Sequence, residues 1–259
     1  MSLYQLLKDI ENYPFVDKSG KKGNVKLLPP VPDKEINEFR NSLPCYLDED
    51  MTAVLRKTRG LSFVQQGKNS KMDAGPITTD IDFTGKSING QVLEDIMPTG
   101  IGIASDISGN SWVVDLHGGS AFFGPIFYVS HDPPVFVYQN SSLEKFINQV
   151  LGALNSPWKS DITKVVDESS ELIWSQNPDV MNQSDCLYST DQDIKAFAQE
   201  LEEDYRIIDM RRPKVGDGFS WGISGPETML RRYGYHTMFA YQYIARDNRP
   251  WWQKLFGRK

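Results

Sequence analysis

One short stretch, Gly100 to Gly119 (GIGIASDISGNSWVVDLHGG), holds Asp106, Asp115 and His117 within a few residues of each other. A carboxylate and an imidazole could form a general acid–base pair there, provided both reach one substrate atom. The local pattern argues for a different use. Asp106 opens the turn DISGN, where a carboxylate accepts backbone amides and mimics a turn. Ile101 and Ile103 alternate with small residues before that turn, and Trp112, Val114 and Leu116 alternate with Val113 and Asp115 after it. This is the pattern of a β-hairpin with one face on a core. Alternation points Asp115 away from the Trp112 face, toward the face expected to be wet. No nucleophile accompanies the acids. His117 fits either an end-of-strand structural role or a partner contact.

Two other constellations invite chemistry. Asp80 and Asp82, in TTDID, are spaced to share one side of an extended segment. Paired carboxylates can hold a metal ion or hydrolyse glycosides, but one D-x-D does not specify either use, and acids in an irregular insertion suit partner contact better. GFSWG, Gly218 to Gly222, matches the G-x-S-x-G nucleophile elbow. A serine hydrolase would then use Ser220 and His236, with Glu227 the one acid between them. The elbow needs a helix directly after the serine, and ISGPET follows instead. The segment therefore reads as a glycine-rich turn into a strand. No Walker loop or dinucleotide-binding glycine pattern occurs, and Cys45, Cys186 and three scattered histidines do not make a zinc site. Neither a metal nor a cofactor is expected.

The elements that must position these residues can be read around them. Ser2 caps a helix with Leu3, Leu6, Leu7 and Ile10 on one face. Asp33 is placed as the N-cap of a second helix bearing Ile36, Phe39 and Leu43. A third carries Met51, Val54 and Leu55, with Gly60 as its stop. Residues 65 to 95 form a polar, irregular insertion. After the hairpin, AFFGPIFYVS and PVFVYQ add strands, with Pro125 and Pro133-Pro134 at breaks or edges. Ser141 and Glu144 suggest a capping box for a helix striped with Leu143, Phe146, Ile147, Val150, Leu151 and Leu154. Two further helices follow, the second capped by Thr190, and then four strand-like segments: YRIIDMR, GFSWGI, MLRRYG and TMFAYQYIAR. The expected fold is α+β, a mainly antiparallel sheet with helices packed on it. The expected division is a helical extension (1–27), a main domain (28–155) and a smaller α+β domain (156–259).

Charge narrows the class of partner. The net charge of −6 argues against a direct nucleic-acid footprint over the whole surface. From Asp161 to Asp209, 13 acids stand against 3 bases; from Met210 onward, 10 bases stand against 3 acids. The simplest reading is that basic strands neutralise acidic helices in the fold. The tail RDNRPWWQKLFGRK mixes basic and aromatic residues, and its tryptophans are expected to cap the second domain's core. No transmembrane run and no basic-apolar leader is seen, so a cytoplasmic protein with two unpaired thiols is expected.

The order of segments from Leu28 to Leu154 carries a resemblance. PPVPDKEINEFRNSLPCYLDEDMTAVLRKTRG gives helix, L-P turn, helix and glycine. PTGIGIASDISGNSWVVDL gives the hairpin; FFGPIFYVSHDPP and SSLEKFINQVLGAL complete it. This resembles the SUKH superfamily, in the branch of the yeast cell-wall (glucan) synthesis regulator and bacterial toxin-immunity proteins. The resemblance implies a non-enzymatic module that binds and neutralises a protein toxin domain, a nuclease among the candidates, or else a regulatory scaffold. On that reading the sheet's wet face and the 65–95 insertion bind the partner. Asp73, Asp80, Asp82, Glu94 and Asp95 would meet a basic groove, alongside Trp112, Asp115 and His117; the acidic helices after Asp161 offer a second surface.

Overall fold

The computed structural model describes residues 2–68, 70–86, 97–98, 100–116, 123–222 and 228–243. Helix α1 (Leu3–Ile10) starts where Ser2 accepts the Gln5 amide and buries Leu6, Leu7 and Ile10. Strands β1 (Pro14–Val16) and β2 (Lys22–Leu27) follow. Helices α2 (Asp33–Ser42) and α3 (Glu49–Lys57) come next, and then β3 (Gly60–Gln65) and β4 (Ile81–Asp82). Pro32, not Asp33, occupies the cap position of α2. Asp48 caps α3 by accepting the Met51 amide at 2.6 Å. Gly60 does not stop that helix. It opens β3, where a Cβ would strike the Ile81 carbonyl of the paired strand. These strands form a four-stranded antiparallel sheet ordered β1-β2-β3-β4.

The hairpin is β5 (Gly100–Ser105) and β6 (Ser111–Leu116), and β7 (Phe123–His131) and β8 (Pro134–Asn140) extend its sheet. Pro125 lies inside a central strand, yet at a break. Leu116 pairs with Phe123 and Val114 with Ile126, so Asp115 faces the two residues Gly124 and Pro125 across a bulge. A bulge tolerates a residue with no amide donor. Helix α4 (Leu143–Asn155) carries the apolar stripe, and its cap is Ser142, one residue beyond the expected Ser141. The stripe lies against β7, β8 and β1.

The segment after residue 156 continues with α5 (Asp161–Lys164), a π-helical turn (Val165–Ser169) and α6 (Ser170–Gln176). Beyond these lie β9 (Met181–Asn182), α7 (Gln183–Cys186), α8 (Gln192–Gln199), β10 (Tyr205–Asp209), β11 (Gly218–Ser220), β12 (Leu230–Arg232) and β13 (Met238–Gln242). Asp191, not Thr190, caps α8. The four strand-like segments are all strands, but they serve two sheets. β12-β13-β10-β9 form a second four-stranded sheet, while β11 joins the hairpin's sheet, ordered β11-β8-β7-β6-β5. Every strand pairing is antiparallel, and the α+β class holds.

Three apolar layers follow from this pairing. One face of the five-stranded sheet, with Trp112, Val114 and Tyr128, packs with α1–α4 and the first sheet. Its opposite face, with Phe127, Val129, Phe136 and Tyr138, packs against Ile208, Met210, Phe219, Phe239 and Tyr241. Helices α7 and α8 close the outer side of the last sheet around Phe197, Tyr205 and Ile207. The five-stranded sheet is therefore covered on both faces.

Candidate interaction surface

The Asp106 turn is a hydrogen-bonded knot. Asp106 Oδ1 accepts the backbone amides of Ser108 and Asn110, each at 2.9 Å. Its Oδ2 accepts Asn110 Nδ2 at 2.9 Å and the Tyr128 hydroxyl at 2.7 Å. The carboxylate is buried and its acceptor sites are used, so it builds the turn and does not act as a base. Burial first, and then the bond to Asp106, push the Tyr128 phenol well above the usual tyrosine range. The knot holds a hairpin tip at which Ile107 is 89% exposed.

Trp112 is fully buried, and its Nε1 donates to Gln139 Oε1 at 3.1 Å. Gln139 in turn donates to Gln149 on α4. The indole is a core anchor tied by polar bonds to the helix above it. Asp115 is also fully buried, against the expectation of a wet face. Arg232 of β12 grips it with two parallel bonds, Nη1 to Oδ1 at 3.0 Å and Nη2 to Oδ2 at 2.8 Å. Arg232 also donates to the carbonyls of Tyr235 and His236 and lies over the Phe239 ring. Alternation assigned Asp115 to the correct face; the cover on that face comes from a strand 117 residues downstream.

The described part of the insertion, residues 65–68 and 70–86, is more ordered than its composition suggests. Met72, Ala74, Ile77, Ile81 and Phe83 all enter the core. Asp82 is fully buried and accepts the Thr84 amide and hydroxyl at 2.9 and 2.6 Å. Asp80 is ion-paired with Lys71 at 2.7 Å, and its side chain is 20% exposed. Asp73 is exposed and lines a small cleft with Asp17, Lys18 and Lys21. Glu94, Asp95 and His117 lie outside the described residues. The five described contact residues are thus not gathered on one open surface: Trp112, Asp115 and Asp82 are interior, and Asp80 is already paired.

The elbow-like serine is interior too. Ser220 is fully buried in β11, where its hydroxyl donates to the Pro134 carbonyl and its amide to Asn177 Oδ1. His236 is exposed and stacks on Tyr233. The acidic helices and basic strands meet at Arg211, which bonds Asp191, Asp193 and Asp209 at 2.7 to 2.9 Å. The Arg211 bonds hold Asp191 below the usual carboxylate range; they do the same for Asp209 despite its burial. Cys45 and Cys186 are free and buried, and burial raises both thiols. Among the described residues no cluster of metal-ligating side chains forms, and no helix is long and apolar enough to cross a membrane.

Arg232 is the functional-looking side chain that the sequence reading missed. Its signal was parity: in MLRR, Leu230 and Arg232 share a face, so an arginine must enter wherever the leucine packs. The lysines of the first sheet were missed as well. They stand at alternate positions of KGNVKL.

Comparison with known proteins gives one match. A family model, the SMI1 / KNR4 family (SUKH-1), matches residues 30–149. That span runs from three residues before α2 into α4 and includes the Asp106 hairpin. No curated protein and no solved structure matches the chain significantly.

Proposed function

Over residues 30–149 the chain belongs to the SMI1 / KNR4 (SUKH-1) family, and from that membership we propose that it is an immunity protein. The family supports a toxin-immunity or regulatory role in general. In the narrower reading the chain binds a cognate toxin domain and neutralises it by occupying its surface, with no chemistry of its own. The observation that carries this is the family match. The site geometry is in keeping with it: Asp106, Asp115 and Ser220, the groups best placed for chemistry by sequence, all use their polar atoms inside the fold. Asp73, on the surface, is a proposed partner contact, with Glu94 and Asp95.

The test is co-expression with the toxin encoded beside this gene. Protection of the host, and co-purification of the two chains, is the expected result. Failure of both, with the chain folded and the toxin active, overturns the immunity reading. Copurification with several housekeeping proteins in place of a toxin would favour the regulatory scaffold.

A further inference from the structure

The first sheet, unlike the five-stranded one, has an open face. Phe15, Val25 and Phe63 point into the core, so their neighbours point out. The outward set is Val16, Lys22, Asn24, Lys26, Val64 and Gln66, with the buried Ser62 beside Lys26. Of these, Val16, Lys22, Lys26 and Gln66 are exposed and Asn24 and Val64 half-buried. The register lines them up in rows, Val16 beside Lys22 and Asn24 beside Val64. A groove of about 360 Å³ runs along one side, lined by Asn12, Asn24, Gln65 and Gln66 and flanked by Lys26 and Lys68.

The charge of this face is opposite to that of the whole chain. Lys22, Lys26 and Lys68 stand on it or on its groove, while Lys18 and Lys21, on the β1–β2 turn, share a cleft with Asp17 and Asp73. Of the carboxylates at its border, Asp17 and Asp80 are engaged and Asp73 is exposed beside Lys18 and Lys21. Asp17 accepts the Ser19 hydroxyl and the amides of Ser19 and Lys21, and Asp80 is bonded to Lys71. A basic, carboxamide-lined sheet face on a chain of net charge −6 is complementary to an acidic surface.

We propose that the open face of the first sheet, centred on Lys22, Lys26 and Lys68, docks an acidic surface of the partner protein. This rests on reading the chain as a protein-binding module, and it adds a basic surface to the acidic contacts proposed at Asp73, Glu94 and Asp95. A protein occupant fits better than a nucleic acid. The outward set holds no aromatic ring on which bases could stack, and Trp158 near its border already lies beneath the Lys18 ammonium, 4.2 Å from the ring centre. Carboxamides can donate to carboxylates and to peptide carbonyls alike.

The test uses the full chain and a fluorescein-labelled, glutamate-rich 20-residue peptide, read by anisotropy at low and at physiological salt. The wild type is expected to bind in a salt-sensitive way. The triple variant Lys22→Glu/Lys26→Glu/Lys68→Glu is expected to bind about tenfold or more weakly. A control triple, Lys34→Glu/Lys145→Glu/Lys195→Glu, makes the same change in net charge elsewhere and should bind as the wild type does. Thermal melts establish that all three proteins fold. No binding by the wild type, or equal weakening in both triples, overturns the proposal. Tighter binding of a single-stranded oligonucleotide than of the peptide overturns the choice of a protein occupant. In toxin co-expression, a wild type and a face variant that protect equally overturn the face but leave the immunity reading intact. A wild type that does not protect overturns the immunity reading, and the peptide measurement still decides the face.

Discussion

Tyr128 shows how one residue sets both stability and shape. It donates to Asp106 from a buried position, and its phenol is held well above the usual tyrosine range. The folded state therefore keeps this proton to higher pH than the unfolded chain does. Its contribution is whole below the unfolded tyrosine value, near 10, and is lost as pH rises beyond it. Tyr138 and Tyr241 shift in the same direction because they are buried. Urea midpoints should accordingly fall above about pH 10, and Tyr128→Phe should make that fall shallower. At neutral pH the same variant removes one of four bonds to a buried carboxylate and should cost about 1–3 kcal/mol by urea unfolding. A variant as stable as the wild type, with an unchanged alkaline limb, would show that the knot contributes nothing.

At the scale of elements, the Asp115–Arg232 pair joins β6 to β12 and so links the family segment to the last sheet. Removing one partner strands a charge in a dry place. Arg232→Leu should destabilise by about 3–5 kcal/mol, and Asp115→Leu/Arg232→Leu should recover a large part of that loss. A double-mutant cycle with no coupling would contradict this. The same pair marks where the sequence was legible and where it was not. Helix stripes such as Leu143-Phe146-Ile147-Val150 and strand alternation such as Trp112-Val114-Leu116 are local, and each was read correctly. N-caps were read to within one residue: Ser142 and Asp191 stand beside the expected Ser141 and Thr190 and compete with them for the same amides, while Pro32 takes the cap position of α2. What covers a face is not local. Parity separates Asp115 from Trp112, but nothing near Asp115 shows that Arg232 will neutralise it. The insertion misled for a similar reason: Met72, Ala74, Ile77, Ile81 and Phe83 are too irregularly spaced to look like a core segment, yet tertiary packing buries them all. The basic face was legible in the alternation of Lys22, Asn24 and Lys26, once β2 is known to lie in a sheet with one open side.

The whole molecule is knit across the boundary expected at residue 156. β11 completes the five-stranded sheet, and Phe219, Phe239 and Tyr241 cover Phe127, Phe136 and Tyr138. Each such buried ring contributes about 1.5–3 kcal/mol. A chain cut after residue 156 should therefore expose that face, bind a hydrophobic dye and lose cooperative unfolding; a sharp, dye-free transition would show that the family segment folds unaided. Neutralisation by surface occupation has its own signature at this scale, because a binder acts mole for mole. The decisive measurement is the activity of the purified toxin domain titrated with the purified chain. The account predicts a linear fall that ends at a fixed molar ratio, with both chains recovered chemically unchanged. Full activity at a large excess of the chain, or inactivation by a small fraction of an equivalent, would contradict it.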